Sequence, residues 1–474
     1  MTSATRPDAT GIHESIVTGA ASATEVWSEH RQRWEAGGDR WRAIVDVDLD
    51  AADAAAADLD DRRARGEALG ALTGVPMTVK DSFDVAGMRT THGRLSDAHR
   101  ATADAPAVAR ARAGGAVIFG KTNVPVLLSG YQTLNDDFGR TLNPWHEARA
   151  AGGSSGGSAV AVATGLSALE LGSDLIGSIR IPAAWNGIFG HRPSNGIVSK
   201  RGHLPWRVDA RIEPPVSVSG PLARSARDIE RAVAVLAGPA EPEASAWRLE
   251  LPAPRRDRLR GTRVGLWTEC AHAPIDDEMR AGLRALAAAL EAEGCRVVEV
   301  TAPPGADEEG LALFERLMLG EIAHSIDDAG FAAALASGGD SGVAQRMRDA
   351  WRDAERQREI RDEWNARVFC DVDVVLAPAV PGAAPLHDDR PETERTLRIG
   401  GRDYAAPAAI SAWSSIPNLA MLPCTVIPLG LGADTGLPLG GQLIGPFLHD
   451  RTTLRIAALA ERAGLVGFAP PPVP

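Results

Sequence analysis

The chain has 474 residues, more than the ~100–200 of an average domain yet within reach of a single large α/β catalytic unit. Its formal charge of −12, from 50 Lys plus Arg against 62 Asp plus Glu, argues against nucleic acid or an anionic membrane as the main partner and favours a small neutral substrate. Cys270, Cys295, Cys370 and Cys424 are widely scattered without a CxxC pair, so neither a zinc site nor a disulfide scaffold is expected, and they read as buried thiols of a reducing compartment.

In chain order, apolar residues Ile12, Ile16, Ala20, Val26 and Trp34 recur at helical spacing across 12–36, and 51–66 is alanine-rich with charges interspersed. Both predict helices on the outside of a sheet, with the alternating WRAIVDVD between them as a short strand. A strand ends at Lys80, Thr90, Thr91 and Gly93 form a turn, and 105–114 is a further helix. The stretch GGSSGGSAVAVATGLSALELGSDLIGSIRIP, from Gly152 to Pro182, then holds two glycine and serine loops joined by a small, apolar run. Such composition is common in linkers, but a linker is not followed by a buried core. The run predicts a short helix feeding a strand, leaving Gly172 to Ser178 as the turn at the strand's carboxyl end, where open α/β sheets place their ligands. Ser178 is therefore the candidate nucleophile. Beyond Pro239, EPEASAWRLELPAPRRDRLRG is a surface excursion, GTRVGLW a strand, 276–294 an amphipathic helix and CRVVEV a strand. The charged stretch 307–367, with Trp351 and Trp364, is helical; VDVVLAPA is a buried strand, and 416–444 supplies the last strands.

Two motifs invite other chemistry. GAVIFGKT, Gly115 to Thr122, satisfies the P-loop pattern, but Ala-Val-Ile-Phe is itself the strand, and Pro125 discourages a helix opening at the lysine. GGSSG matches the nucleophile elbow of α/β-hydrolases, yet polar NPWHEARAA precedes it where a strand is required, and neither His387 nor His449 has an assignable acid partner. A Ser-His-Asp esterase is thus the weaker alternative.

The chain contains only three lysines, Lys80, Lys121 and Lys200, so nearly every other cation is arginine. Arginine cannot give up its proton, whereas a buried lysine can act as a base. Lys80 ends the apolar run VPMTVK, where a low dielectric favours the neutral amine, although a strand-end lysine can also simply snorkel to the surface.

The serine loops resemble the signature of the amidase signature family, serine amidohydrolases. The resemblance extends through GVPMTVKDSFDVAGMRTTHG at Gly74, GAVIFGKTNVP, FGRTLNPW, GPLARSARDIERAVAVLAG at Gly220 and LPLGGQLIG, and so covers most of the chain. It implies an α/β fold, a single large domain with a mixed β-sheet sandwiched between helices. It also implies hydrolysis of a C–N acyl bond by a Ser, cis-Ser, Lys triad carried over onto Ser178, Ser154 and Lys80, with a cis Gly153–Ser154 bond. Backbone amides of Leu175, Ile176, Gly177 and Ser178 would form the oxyanion hole. Ile176 stands where the family commonly has glycine, so either ordinary backbone angles suffice there or the side chain narrows the hole. Asn195 replaces an aromatic residue common in the family, which weakens the reading as an amidotransferase subunit working with partner subunits. A non-catalytic relative acting as a binding module is the remaining alternative.

Within this frame residues 1–66 form a helical segment packed on the core, 67–238 the signature core, and 239–474 the rest of the same domain, with a variable helical pocket region at about 305–370. Leu128, Tyr131, Trp206 and Trp413 are candidate pocket walls, each of a type that is more often core. Amides, anilides, acyl hydrazides and carbamates all fit the triad. No cofactor or metal is expected, since no His/Cys/Asp/Glu cluster of ligand spacing accompanies the loops. MTSATRPDATG lacks an apolar leader and no segment approaches 18 uninterrupted apolar residues, so a cytoplasmic protein is expected, with a homodimer left open.

Overall fold

Eleven strands hydrogen-bond into one mixed sheet: β1 (Ile44–Val47), β2 (Pro76–Lys80), β3 (Val117–Thr122), β4 (Leu169–Asp174), β5 (Phe189–Arg192), β6 (Val218–Ala223), β7 (Arg263–Leu266), β8 (Arg296–Glu299), β9 (Val374–Pro378), β10 (Cys424–Leu431) and β11 (Pro438–Ile444). Their spatial order is β1-β3-β2-β4-β6-β5-β10-β11-β9-β7-β8. The computed structural model describes residues 6–203, 210–324, 328–329, 331–332 and 346–472, which form a single domain with the sheet between helices. Strands β3, β2 and β4 run parallel, and β6 returns antiparallel against β4 with Ser219 opposite Ser173 and Val218 opposite Asp174. All five residues of β2 and all six of β4 are buried, as expected for strands covered on both faces.

The helix Gly156–Ala163 is buried at every residue and packs on β2, β4 and β6. Small side chains make this possible. A Cβ at Gly157 would stand 2.4 Å from the backbone N of Asn123 and 2.6 Å from Ala43 O, so no larger residue fits without moving the chain.

Several boundaries differ from the sequence reading, each for a local reason. The helical pattern over 12–36 divides into Ala9–Thr18 and Ala23–Glu35, because Gly19 takes a left-handed cap at φ 79° and Ser22 opens the second helix with a capping box to Glu25. Strand β4 continues through Gly172 and Ser173 to Asp174, so the turn begins three residues later than expected. Residues 406–419 form a helix where strand was expected from Ile416 onward. Pro417 inside it has no N–H for the carbonyl of Trp413, and Gln442 Nε2 on β11 donates to that oxygen instead (3.0 Å). The stretch 307–367 contains two described helices, Glu308–Ala323 and Met347–Arg367. Cys295 and Cys424 are buried, but Cys270 is half-buried and Cys370 exposed, contrary to a uniform set of core thiols. No helix among the described residues is long and apolar enough to cross a membrane.

Candidate active site

Strands β2 and β4 lie side by side and deliver Lys80 and Ser173 to the same end of the sheet. Lys80 is fully buried, and its Nζ donates to Ser154 Oγ at 2.7 Å and Ser173 Oγ at 2.9 Å. Ser154 is reached through a cis Gly153–Ser154 peptide, the expected isomer. Burial, reinforced by the nearby Lys200 cation, pushes the Lys80 ammonium well below the usual lysine range against the opposing charges of Asp174 and Glu170.

After β4 the chain turns through Leu175, Ile176 and Gly177 to Ser178, then enters the helix Arg180–Asn186. A buried polar bracket fixes this turn. Arg180 Nε and Nη2 donate to the two oxygens of Asp174 at 3.0 and 2.9 Å, and its guanidinium also reaches Asn418 Oδ1 (2.6 Å) and Gln442 Oε1 (3.1 Å). Asn418 Nδ2 in turn donates to Leu175 O at 2.6 Å. Burial alone would raise the Asp174 carboxyl, but Arg180 and Arg192 outweigh it and hold the carboxylate well below its usual range.

The amide of Gly177 donates to Asp174 Oδ1 at 2.8 Å. Of the four amides expected to face an oxyanion, that of Gly177 is thus engaged within the loop, and those of Leu175, Ile176 and Ser178 have no protein acceptor among the described residues. Gly177 has φ 109°, and a Cβ there would meet Ser414 Oγ at 2.7 Å. Ile176 is absent from the positive-φ residues, so it holds ordinary backbone angles while its side chain faces the cavity.

Ser154, Ser173 and Ser178 open onto a cavity of about 640 Å³, with Lys80 behind Ser154. Leu175, Ile176, Ile181, Met318, Ile322 and Ile410 give it an apolar wall, and Leu128 and Tyr131 also line it. Trp413 does not: it is fully buried, its ring meets Trp267 edge-on at 4.9 Å, and its Nε1 donates to Pro274 O at 2.8 Å. It is a core residue. Trp206 lies outside the described residues. A larger cleft of about 760 Å³, bordered by His99, Arg110 and Arg201, contains none of the loop serines.

Residues that sequence reasoning did not assign also reach the cavity, namely Ser173, Lys200, His203 and Ser217. The rarity of lysine was a usable signal for Lys200; nothing local marks the other three. His203 Nε2 sits 3.1 Å from Ser82 Oγ, and burial, with Lys200 and Lys80 nearby, pushes its imidazole well below the usual range. No carboxylate hydrogen-bonds it among the described residues, as a Ser-His-Asp triad would require. Ser155 is buried with its Oγ donating to Ser173 O (3.3 Å), and the His387 ring meets Gln132 Oε1 and the carbonyl of Glu147. Lys121, the lysine of the P-loop-like sequence, lies fully buried inside β3, donating to Asp81 Oδ1 (3.0 Å) and Arg89 O (2.9 Å).

The family model described as Amidase matches residues 25–454. The glutamyl-tRNA(Gln) amidotransferase A-subunit of Synechococcus sp. (strain CC9605) is 32% identical over 488 residues, covering 96% of this chain and 95% of the relative. Among solved structures, a bacterial aryl acylamidase of the amidase signature family superposes with a TM-score of 0.81 at 27% identity, covering 96% of each chain. An inhibitor-bound structure from work on a vestigial protein complex and the evolutionary origins of an s-triazine catabolic enzyme gives 0.82 at 29% identity, covering 98% of this chain and 100% of the other. With the family model spanning nine-tenths of its length and amidase signature enzymes sharing its fold, the chain belongs to the amidase signature family.

Proposed function

We propose that the protein is an amidohydrolase that cleaves a C–N acyl bond through an acyl-enzyme on Ser178, with Ser154 and Lys80 as its proton relay. The observation that carries this reading is the 2.7 Å contact of Lys80 Nζ with Ser154 Oγ, made by a fully buried lysine whose environment favours the neutral amine. In that form Lys80 accepts the Ser154 hydroxyl proton while Ser154 Oγ accepts the proton of Ser178. The Ser178 oxygen attacks the acyl carbon, and the carbonyl electrons move to an oxygen facing the amides of Leu175, Ile176 and Ser178. Collapse expels the amine, which takes the relayed proton. Water then attacks the ester by the same relay, releasing a carboxylic acid and restoring Ser178.

The apolar wall supports an apolar or aromatic acyl group, in keeping with the aryl acylamidase neighbour. Incubation with a fluorophosphonate followed by peptide mass spectrometry should place one adduct on Ser178, and Ser178→Ala should abolish turnover in a screen of amides, anilides, acyl hydrazides and carbamates. Adduct on Ser155, or turnover by Ser178→Ala, sinks this reading. A second reading, one component of a larger amidotransferase, follows from the name of the 32% identical relative. Turnover by the purified chain alone decides against it.

A further inference from the structure

Lys200 is the third lysine of a chain that otherwise uses arginine, and like Lys80 it is buried, at 5% exposure. It lines the cavity that holds Ser154 and Ser178, and its Nζ donates to Ser217 Oγ at 2.7 Å. The register of the sheet places this contact relative to Lys80. Ser219 on β6 stands directly opposite Ser173 on β4, so their side chains share a face, and Ser217 immediately precedes β6 at the end where Val218 pairs with Asp174. Ser173 and Ser217 both line the cavity. One carries the amine of Lys80 and the other that of Lys200.

We propose that Lys200 is a positioning residue for the reaction: its cation, held on Ser217 beside the cavity, keeps Lys80 in the proton-accepting form. This rests on the functional reading above. A charge on Lys200 opposes a second one on Lys80, and Lys200 has nearby carboxylates able to hold its proton. Glu321 lies at the same place, on the helix Glu308–Ala323, where its Oε2 accepts from the amides of Val216 (3.0 Å) and Ser217 (3.1 Å). Exposed Glu213 accepts from the Lys200 amide at 2.9 Å. Burial lowers the Lys200 ammonium to about 8, partly offset by Glu321, Glu213 and Asp174, so it is charged at neutral pH. The groups facing Lys80 are Glu170 and Asp174 on β4, which favour its ammonium, and Lys200, which opposes it. Asp174 is itself occupied by Arg180, Asp81 by Lys121, and His203 is uncharged. With Asp174 held by Arg180 and burial raising the Glu170 carboxyl to about 8, Lys200 is the cation that acts on Lys80.

The test is the pH dependence of Ser178 labelling by a small fluorophosphonate in the full chain, for the natural sequence, Lys200→Met and Lys200→Arg, with thermal melts to check folding. Loss of the cation lets Lys80 retain its proton to higher pH. The ascending limb of Lys200→Met should therefore move up by about one pH unit, an approximately tenfold slower reaction on the limb, narrowing toward the alkaline plateau. Lys200→Arg should keep its limb at or below the natural position, because guanidinium stays charged throughout; this variant decides the matter if Lys200→Met does not fold. A uniform loss at all pH in Lys200→Met, an unmoved limb, or an upward shift in Lys200→Arg overturns the inference alone. Failure of the natural chain to label at Ser178 overturns the functional reading and this inference with it.

Discussion

A lysine can serve as a base only where its ammonium is harder to keep than its amine, and Lys80 sits at such a point: no exposure, two hydroxyl neighbours and, among the described residues, no carboxylate in hydrogen-bond contact. Because its folded pKa is depressed, the amine form fills as pH rises through that value, so turnover should climb with pH from the acid side. Lys80→Arg keeps a cation that cannot be deprotonated and should cost roughly 10²–10⁴-fold in kcat/KM, close to the loss in Lys80→Ala. Steady-state kinetics alongside circular dichroism checks this; an arginine variant retaining most of the turnover would mean that charge, not the free amine, is what the reaction uses. The reasoning that singled out Lys80 from VPMTVK needed only a strand end and a scarcity of lysine. The commitment of Gly177 to Asp174 was beyond it, because that bond depends on Arg180 and Asn418 fixing the carboxylate from 6 and 244 residues away in sequence.

At the level of elements, the buried hub of β2, β3, β4 and the helix Gly156–Ala163 is tied by one side chain. Glu170 accepts from Thr122 Oγ1 (2.9 Å), Ser158 Oγ (3.0 Å) and Thr78 Oγ1, joining all four elements. Burial raises its carboxyl to about 8 despite these donors and Lys80. Between ~4.3, where the unfolded chain ionises, and about 8, the native state holds a proton that the unfolded state has lost. Its contribution to stability is therefore present in acid and lost as pH rises through about 8. Glu170→Gln should remove that slope, so the melting temperature of the variant minus that of the natural chain should rise with pH across this range. A flat difference would show Glu170 ionised throughout. Trp413 belongs to the same scale. Its residue type suggested a pocket wall, but the helix 406–419 was hidden by Pro417, whose missing N–H is offset by Gln442 from β11. Packed on Trp267 instead, Trp413→Ala should cost ~3–5 kcal/mol in urea unfolding while leaving the order of preferred substrates unchanged. A reordering with little loss of stability would return it to the wall.

Across the whole molecule the proposed relay and the apolar wall of the cavity come from different kinds of sequence. The proposed relay is drawn from 80, 154 and 178, short-range patterns at strand ends and glycine loops, which sequence reasoning can single out because turn chemistry and burial are local properties. The wall is not legible in that way: Met318, Ile322 and Ile410 lie on helices 308–323 and 406–419, more than a hundred residues beyond Ser178, and their amphipathic spacing says which face is apolar without saying what it faces. This division predicts that selectivity and reactivity can be altered separately. Met318→Ala enlarges the cavity at the helix 308–323, and Ile176→Gly enlarges it in the turn before Ser178. Both should shift the ratio of kcat/KM for bulky against small acyl anilides toward the bulky one, by about 10-fold or more for Met318→Ala, since a pocket methylene is worth ~1–3 kcal/mol of discrimination. Labelling of Ser178 by a small fluorophosphonate should change little in Met318→Ala and more in Ile176→Gly, whose backbone amide belongs to the oxyanion turn. If Met318→Ala instead slows labelling and every anilide by one common factor, the helix 308–323 is supporting the relay, and selectivity must reside in another wall of the cavity.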